Sequence, residues 1–514
     1  MPEGVPTLHS HDALAVYLLC MSTRLIELIE QLSDIPIVLV GDFMLDRYLF
    51  GSTERISPEA PIPILRFKRE EHRLGGAGFV LAALSTLGAT VRAVGVIGDD
   101  PAGAKVREHV RALGAADEGL LTVAGRPTVE KVRLLGSSED RTHQQMIRLD
   151  VEESRPLQPA VAQQIIERAR ASMQGCRVLC LEDYDKGALP DEVCRALIQT
   201  ARQMRIPVLI DPARLNDYSK YAGATAIKLN RPEAERATGQ NARTPDGCRM
   251  AAEKLLDSLQ LEAVVITLND GGSYLATRAG QRSLLMSRPR EVADATGAGD
   301  MVLVTLCLAN AAGATWHDAV ALANVAAGLE VERVGCVPIT RQEIIHDLVA
   351  EHHEHAGKQR TLDAILPELS SLRASGKKIV FTNGCFDLIH LGHVKYFQWA
   401  KKRGDILVVG VNTDASIQRL KGTKRPIISE ADRLGVLEEL QSIDYLVCFD
   451  DDTPLRLIRA IRPDVLVKGA DYKKEQVIGW DVVEQYGGEV ALAPLIDGKS
   501  TSAVIQRILD THTG

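Results

Sequence analysis

The stretch Asp294-Ala-Thr-Gly-Ala-Gly-Asp300, followed at once by the apolar run Met301–Leu308, decides how the larger part of this 514-residue chain is read. Glycines at 297 and 299 let backbone N–H groups close around an anion where a helix begins, and the helix dipole also favours negative charge there. Asp300 then faces that anion. A sugar hydroxyl is a poor nucleophile because its pKa is high, so transfer of a γ-phosphoryl group gains from a carboxylate placed to accept its proton. Taken alone, the stretch is equally well a tight helix-entry turn with an aspartate cap.

Working outward, short apolar runs recur with amphipathic stretches between them: Ile37–Val40, Val91–Ile97, Val178–Leu181, Val208–Ile210 and Val264–Thr267. That alternation predicts βαβ units and a mostly parallel sheet. Tyr48 to Arg73 has a different texture, with Pro58, Pro61 and Pro63 and an alternating Ile62–Phe67, and predicts edge strands projecting as a lid or a dimer clasp. A second series begins after 376 with Lys378–Thr382, Ile406–Val411, Tyr445–Phe449, Val465–Lys468 and Val490–Ala493, a separate and smaller α/β sheet. Between them, Thr340 to Gly376 has helical spacing broken by the polar run Glu351–Gly357, which predicts a linker. His352, His353 and His355 lie in that run without a cysteine or carboxylate framework, so no metal is assigned to them.

A chain this long exceeds what one hydrophobic core organises, about 250–300 residues, and two catalytic domains are expected. With 45% hydrophobic and 25% charged residues the composition is that of a globular protein. A net charge of −8 argues against binding nucleic acid by general backbone attraction, which leaves small nucleotides as the polyanion partner. Nine cysteines without a CxxC pair read as reduced core residues of a cytoplasmic protein. The apolar stretch Ala13 to Met21 is too short to span a bilayer and has no basic flank, so neither export nor a membrane is expected. Residues 1–22 are taken as an extension without assigned function.

In the second series, Phe381-Thr-Asn-Gly-Cys-Phe-Asp387-Leu-Ile-His390-Leu-Gly-His393 follows a strand and opens a helix. Two histidines three apart at a helix start point at one ligand, and Gly392 permits close approach of phosphate. A sugar phosphate is already anionic near neutral pH, with a second pKa of about 6, so nucleotidyl transfer needs donors and positive charge around the phosphates rather than a base. His390, His393, Lys395, Lys421, Arg425, Arg433 and Lys468 supply them. Zinc is the weaker reading of the histidines because no third ligand is near.

The ordered set Gly41-Asp-Phe-Met-Leu-Asp46, Arg55-Ile-Ser-Pro-Glu-Ala-Pro61, Gly75-Gly-Ala-Gly78, His143-Gln-Gln-Met-Ile-Arg148, Asp183-Tyr-Asp-Lys-Gly187, Asn230-Arg-Pro-Glu233 and the 294–300 stretch resembles the ribokinase family of sugar kinases, in its heptose 7-phosphate kinase branch. The resemblance covers roughly 35 to 340. It implies that Asp300 is the base and that Gly297, Ala298 and Gly299 form an anion hole. By it, Asn230 and Glu233 organise Mg2+ and the nucleotide phosphates, Thr267, Gly271, Ala327 and Gly328 hold the nucleotide, and Asp46, Gly75, Gly76 and Arg148 contact the sugar. Mg2+ with ATP is the implied cofactor, with a monovalent cation in the kinase domain as an addition. Phe79 and Ala83 stand where the family usually has asparagines, a departure at the sugar.

From 376 to 510 the chain resembles the HxGH nucleotidyltransferases, and its TNGCFDxxHxGH with Lys468-Gly-Ala-Asp-Tyr472 is closest to heptose 1-phosphate adenylyltransferases. The resemblance implies nucleotide and phosphate contacts from Asn383, Gly384, Phe386, Asp387, Lys395, Asp414, Lys421, Arg425, Arg433, Lys468, Ser500, Thr501 and Ser502. For the last three, helix capping alone is an equal reading. The expected architecture is α/β: a ribokinase-like domain with a β lid at 23–345, a linker at 346–375, and a Rossmann-like nucleotidyltransferase domain at 376–514. The implied reactions are phosphorylation of D-glycero-β-D-manno-heptose 7-phosphate at C1 and adenylyl transfer from ATP to the heptose 1-phosphate, towards ADP-heptose for bacterial lipopolysaccharide; the alternating apolar faces of Tyr48–Arg73 separately predict a homodimer through the kinase domain. The alternatives are a related two-domain enzyme using another sugar phosphate or CTP and, from another class, a non-catalytic nucleotide-binding scaffold.

Overall fold

The structure is a computed structural model that describes residues 21–137, 144–153, 155–374, 376–470 and 473–494. The chain clusters into two compact units, Thr23–Leu348 and a second that holds Val349–Gly514. In the first, the strands are β1 (Ile35–Gly41), β2 (Phe43–Ile56), β3 (Pro63–Gly76), β4 (Ala89–Gly98), β5 (Ala116–Val123), β6 (Val129–Ser137), β7 (Gln144–Val151), β8 (Val178–Glu182), β9 (Val208–Asp211), β10 (Ala226–Asn230), β11 (Ala263–Thr267), β12 (Ser273–Thr277) and β13 (Arg282–Leu285). Nine of them make one sheet in the order β13-β12-β11-β10-β9-β8-β1-β4-β5. The strands from β10 through β8, β1 and β4 pair in parallel, with β11–β12–β13 turning antiparallel at one edge.

The central strands are apolar on both faces because helices cover both sides of the sheet: Val178 to Leu181 are all fully buried. Their carboxyl ends break that rule. Glu182 closes β8 and pairs in register with Asp211, which closes β9, while Asn230 at the end of β10 pairs with Thr267 at the end of β11. Polar residues therefore gather along one edge, where open α/β sheets bind ligands.

The expected lid is a four-stranded sheet, β3-β2-β6-β7, so it takes in two more strands than the Pro-rich segment alone. Register puts Asp46 beside Lys131, Tyr48 beside Arg133, and Arg133 opposite Arg148. Since paired residues share a face, these side chains line one side of the lid.

The second unit is a six-stranded parallel sheet of β14 (Gln359–Arg360), β15 (Ile379–Gly384), β16 (Ile406–Asn412), β17 (Tyr445–Phe449), β18 (Val465–Gly469) and β19 (Glu489–Ala493), in the order β14-β17-β16-β15-β18-β19. The order reverses around β15, whose carboxyl end opens the crevice of this unit.

The segment expected as a linker is structured throughout its described residues, and this corrects the 346–375 boundary. The helix Arg341–Ala356 runs through the polar stretch, and β14 and the helix Leu362–Ala374 belong to the second unit. Arg360 and Glu368 form a buried ion pair at 2.9 Å, and Ile365 and Leu369 are fully buried against Phe381 and Tyr445. The polar stretch hid this because a charged helix face and a tether have the same composition.

A chain beginning at 376 therefore lacks part of its own core and should melt well below one beginning at 357. Emptying the sites of Ile365 and Leu369 costs about 2–5 kcal/mol each. Circular-dichroism melts of the two fragments check this, and equal melting temperatures would show that 357–374 is only a tether.

Candidate active sites

In the first unit the glycine stretch starts a helix as expected. Gly297 is its N-cap with φ of 104°, and Asp300 lies in the first turn of the helix Ala298–Ala311. A side chain at 297 would meet Glu330 Oε1 at 2.6 Å on a left-handed backbone, so that position needs glycine, and one at 299 would press on Lys228 Nζ at 2.7 Å. Asp300 is 8% exposed and accepts hydrogen bonds from the Tyr184 hydroxyl at 3.1 and 3.2 Å.

Around it stand Glu182 and Asp211, and an oxygen from each of the three carboxylates lies within 4.8 Å of the others. Burial pushes all three upwards, Asp211 to about 7, against the charge of Lys228. Burial opposes the charge on Lys228 itself, but Asp211 and Asp300 hold it protonated, and its ammonium is hydrogen-bonded to Asp211. Among the described residues this is the one group of carboxylates fit for a divalent cation. Glu330 is fully buried with no side-chain partner, and burial followed by the charges of Asp300 and Asp294 raises its pKa to about 8 against the Val337 amide.

The structure brings most of the expected kinase residues to this edge. Asn230 caps the helix Arg231–Thr238, and Asn230 and Glu233 bond reciprocally at 2.8 and 3.0 Å. Both are thus held by each other at the sheet edge. Thr267 ends β11, Gly271 lies in the turn Asn269–Gly271, and Ala327 and Gly328 lie on the helix Trp316–Glu330. Asp46 is buried in an ion pair with Arg133 at 2.7 Å, and a side chain at Gly75 would meet Asp46 Oδ2 at 2.9 Å. Gly76, with φ of 53°, caps the next helix. Arg148 is half exposed and held by Asp150 at 2.8 Å, on the same lid face as Arg133. Phe79 is a core residue, 1% exposed, with its ring edge against Gly297. Glu182, Lys228, Tyr184 and Lys131 were not singled out; a charged or polar residue inside or closing a buried strand was the signal for the first two.

In the second unit a cavity of about 520 Å³ opens at the end of β15 and is lined by Asn383, Gly384, Phe386, His390, His393, Lys421 and Lys468. His390 caps the helix Leu391–Lys401. Its Nδ1 accepts the Gly392 N–H at 3.1 Å, and His393 Nδ1 accepts the His390 N–H at 3.4 Å. Each Nδ1 being an acceptor, the proton of each neutral ring sits on Nε2. The rings stack with centroids 4.1 Å apart. Burial, then the neighbouring His390 and Lys421, lowers the pKa of His393 to about 4, so at neutral pH it is an uncharged donor.

Five expected contacts do not line this cavity. Asp387 is 3% exposed, accepts from the Ile427 and Ile428 amides at 2.7 and 3.1 Å and forms an ion pair with Arg425 at 2.5 Å, fastening the 425–428 segment. Arg433 is 1% exposed and donates to Cys385 O, Asn412 O and Asp414 Oδ1 at 2.6, 2.9 and 2.8 Å. It ties the ends of β15 and β16 together behind the wall, and Asp414 serves it there. Lys395 is exposed on its helix. Ser500, Thr501 and Ser502 lie outside the described residues, as do His143, Asp471 and Tyr472. Tyr396, Asn412 and Gln476 line the cavity and were not foreseen.

Comparison with known proteins matches residues 35–342 to the pfkB family of carbohydrate kinases and residues 381–499 to the cytidylyltransferase-like family. The chain is 44% identical over 483 residues to the bifunctional protein HldE of Citrifermentans bemidjiense, covering 94% of this chain and 98% of that one. It is 44% identical over 479 residues to the HldE of Geobacter metallireducens, covering 93% and 96%. Among solved structures, phosphofructokinase-2 from Escherichia coli in complex with potassium shares the fold of the first unit, with a TM-score of 0.51 at 18% identity over 62% of this chain and 99% of that one. No helix among the described residues is long and apolar enough to cross a membrane.

The His393 geometry sets a pH dependence. Its folded pKa, about 4, lies below the ordinary 6.5, so its contribution to stability is present above 6.5 and is lost as pH falls towards 4. An NMR titration of labelled histidine should find one ring with a midpoint near 4 that disappears in His393→Gln. A midpoint near the ordinary 6.5 would mean that burial and the neighbouring charges do not hold the ring below its usual value.

Proposed function

The chain belongs to the bifunctional HldE proteins, a pfkB family carbohydrate kinase joined to a cytidylyltransferase-like domain, and we propose that its first unit phosphorylates D-glycero-β-D-manno-heptose 7-phosphate at C1 while its second transfers an adenylyl group from ATP to D-glycero-β-D-manno-heptose 1-phosphate. Both are steps of ADP-heptose synthesis. What carries the kinase reading is Asp300, buried at a helix N-terminus behind Gly297, whose left-handed backbone requires glycine, and Gly299, which lies over the Lys228 ammonium.

In the kinase step Asp300 accepts the proton of the C1 hydroxyl as that oxygen bonds to the γ-phosphorus. The bond from phosphorus to the bridging oxygen breaks, and ADP leaves with its electrons. The N–H groups of 297–299 and the Lys228 ammonium face the charge that develops. Asp46, held by Arg133, is placed to take hydroxyls of the sugar. Glu182, whose Oε2 has no partner, and Asp211 fit Mg2+, which would supply positive charge to the phosphates. The buried carboxylate of Glu330, which has no cationic partner, fits with nearby Asp294 a monovalent cation beside the anion loop, where it would offset their charge.

In the second step a phosphate oxygen of the sugar attacks the α-phosphorus and pyrophosphate leaves. The nucleophile is already anionic, so no base is needed. His390 and His393 donate through Nε2, and Lys421 and Lys468 supply charge. The substrates are ATP and sugar phosphates, without nucleic acid or membrane, in the cytoplasm.

The two activities should separate by mutation. Asp300→Asn keeps the side-chain size but removes the proton acceptor, so kinase turnover should fall by about 10²–10⁴ while adenylyl transfer persists. His390→Ala or His393→Ala should cost adenylyl transfer about 10²–10³ and leave the kinase intact. Mass spectrometry of the products from ATP with each heptose phosphate reads both, and loss of both reactions in a folded Asp300→Asn protein would replace two sites by one.

The lid also offers Phe67, Ile147 and Leu149 at 58–60% exposure, with Ile62 at 57%, which supports a homodimer through the kinase unit. Sedimentation should give twice the chain mass at micromolar concentration and the monomer mass for Ile147→Lys/Leu149→Lys. A monomer in both cases would remove the dimer.

A further inference from the structure

We propose that Tyr184 is a positioning residue of the kinase, holding the Asp300 carboxylate in the orientation from which it takes the sugar proton. The proposal rests on the kinase reading above and concerns a residue that no motif of the anion loop contains.

Three observations carry it. The hydroxyl of the half-buried Tyr184 divides one hydrogen bond between both oxygens of Asp300, at 3.1 and 3.2 Å. A donor centred on the two oxygens fixes the plane of the carboxylate and leaves each oxygen a lone pair for the substrate. A free aspartate turns about its Cβ–Cγ bond, and a base that must meet one hydroxyl within hydrogen-bond reach loses rate with that freedom.

The loop that carries Tyr184 is fastened from beneath by two buried carboxylates. Asp42 accepts the amides of Tyr184, Lys186 and Ala188 at 2.9, 3.0 and 2.9 Å. Asp183 accepts the Asp185 amide at 2.9 Å, Lys220 Nζ at 2.6 Å and the Tyr221 hydroxyl at 2.8 Å. Burying a carboxylate costs several kcal/mol unless its lone pairs are filled. Here the lone pairs of both are filled by the loop and its support. Such fastening far exceeds what a surface turn needs and suits a side chain whose position matters.

The ring of Tyr184 is also held from the lid. Lys131, on β6, places its ammonium 5.1 Å from the ring centroid, and its charge acts on Asp300 as well. Register sets Lys131 beside Asp46, a residue placed on the sugar. The phenol thus sits between the base and the strand that covers the substrate.

Tyr184→Phe keeps the ring and its contact with Lys131 and removes only the hydroxyl. With the whole chain and heptose 7-phosphate, kcat of the kinase should fall about 10- to 100-fold, with KM for both substrates within about twofold and adenylyl transfer on the same chain unchanged. The double variant Tyr184→Phe/Asp300→Asn should be no slower than Asp300→Asn alone, because a residue acting through Asp300 has nothing left to position. An unchanged kcat, a raised sugar KM with intact kcat, or multiplied losses in the double variant would each overturn the proposal. If Tyr184→Phe lowered both activities and the melting temperature together, its role would be structural. A wild-type chain inert towards every sugar phosphate would instead remove the kinase reading on which the proposal stands.

Discussion

One buried ammonium holds the first unit's site together. Lys228 rises from the middle of β10 into a space shared by Glu182, Asp211 and Asp300, all nearly inaccessible to solvent. Carboxylates this close and this buried repel one another and resist ionisation. The lysine charge is what offsets that resistance, and it does so from beneath Gly299, where a side chain would strike it. The glycine loop, the base and the strand ends are therefore one electrostatic object. On the proposed kinase reading, the ammonium that offsets the carboxylates is also the positive charge nearest the glycine loop.

The same edge explains why the site sits where it does. Parallel strands present their carboxyl ends together, and the helices that follow present their N-termini to the same place. Asn230 and Glu233 satisfy the first amides of one helix between themselves, whereas the helix begun by Gly297 has no side-chain cap. On the proposed reading its first amides serve the transferring phosphoryl group.

Much of this was legible in the sequence. The apolar runs Ile37–Val40, Val178–Leu181 and Val208–Ile210 fall within β1, β8 and β9, and every run of the second series coincides with a strand of the second sheet. The glycines that start the helix at 298 were legible because only a left-handed turn and a close approach explain them together. Direction was not legible. Arg433, Arg425 and Asp387 belong to charged stretches that suggest phosphate binding, yet they point inward and bind backbone or each other. A sequence states that a guanidinium is present, but whether carbonyls or phosphates fill its donors depends on which way the helix Glu430–Glu438 turns its face. Tyr184 escaped notice for a related reason: its value comes from Asp42, far away in the sequence, which fixes its loop.

The two units meet the same need, an anion at a helix start, with opposite electrostatics, and the nucleophile decides which is used. A sugar hydroxyl must lose its proton, so the first unit keeps a carboxylate at the reaction centre and balances it with Lys228. A sugar phosphate arrives already charged, and a carboxylate beside it would repel it. The second unit accordingly places two imidazoles there, with His393 kept neutral by burial and by the charge of Lys421. Neutral donors with fixed direction favour the geometry in which charge moves onto the departing pyrophosphate, whereas a ring of cations would bind substrate and transition state alike. Lys421 and Lys468 line the same cavity wall as the two histidines, so on the proposed reading the lysines attract the phosphates and the histidines act at the reacting phosphorus.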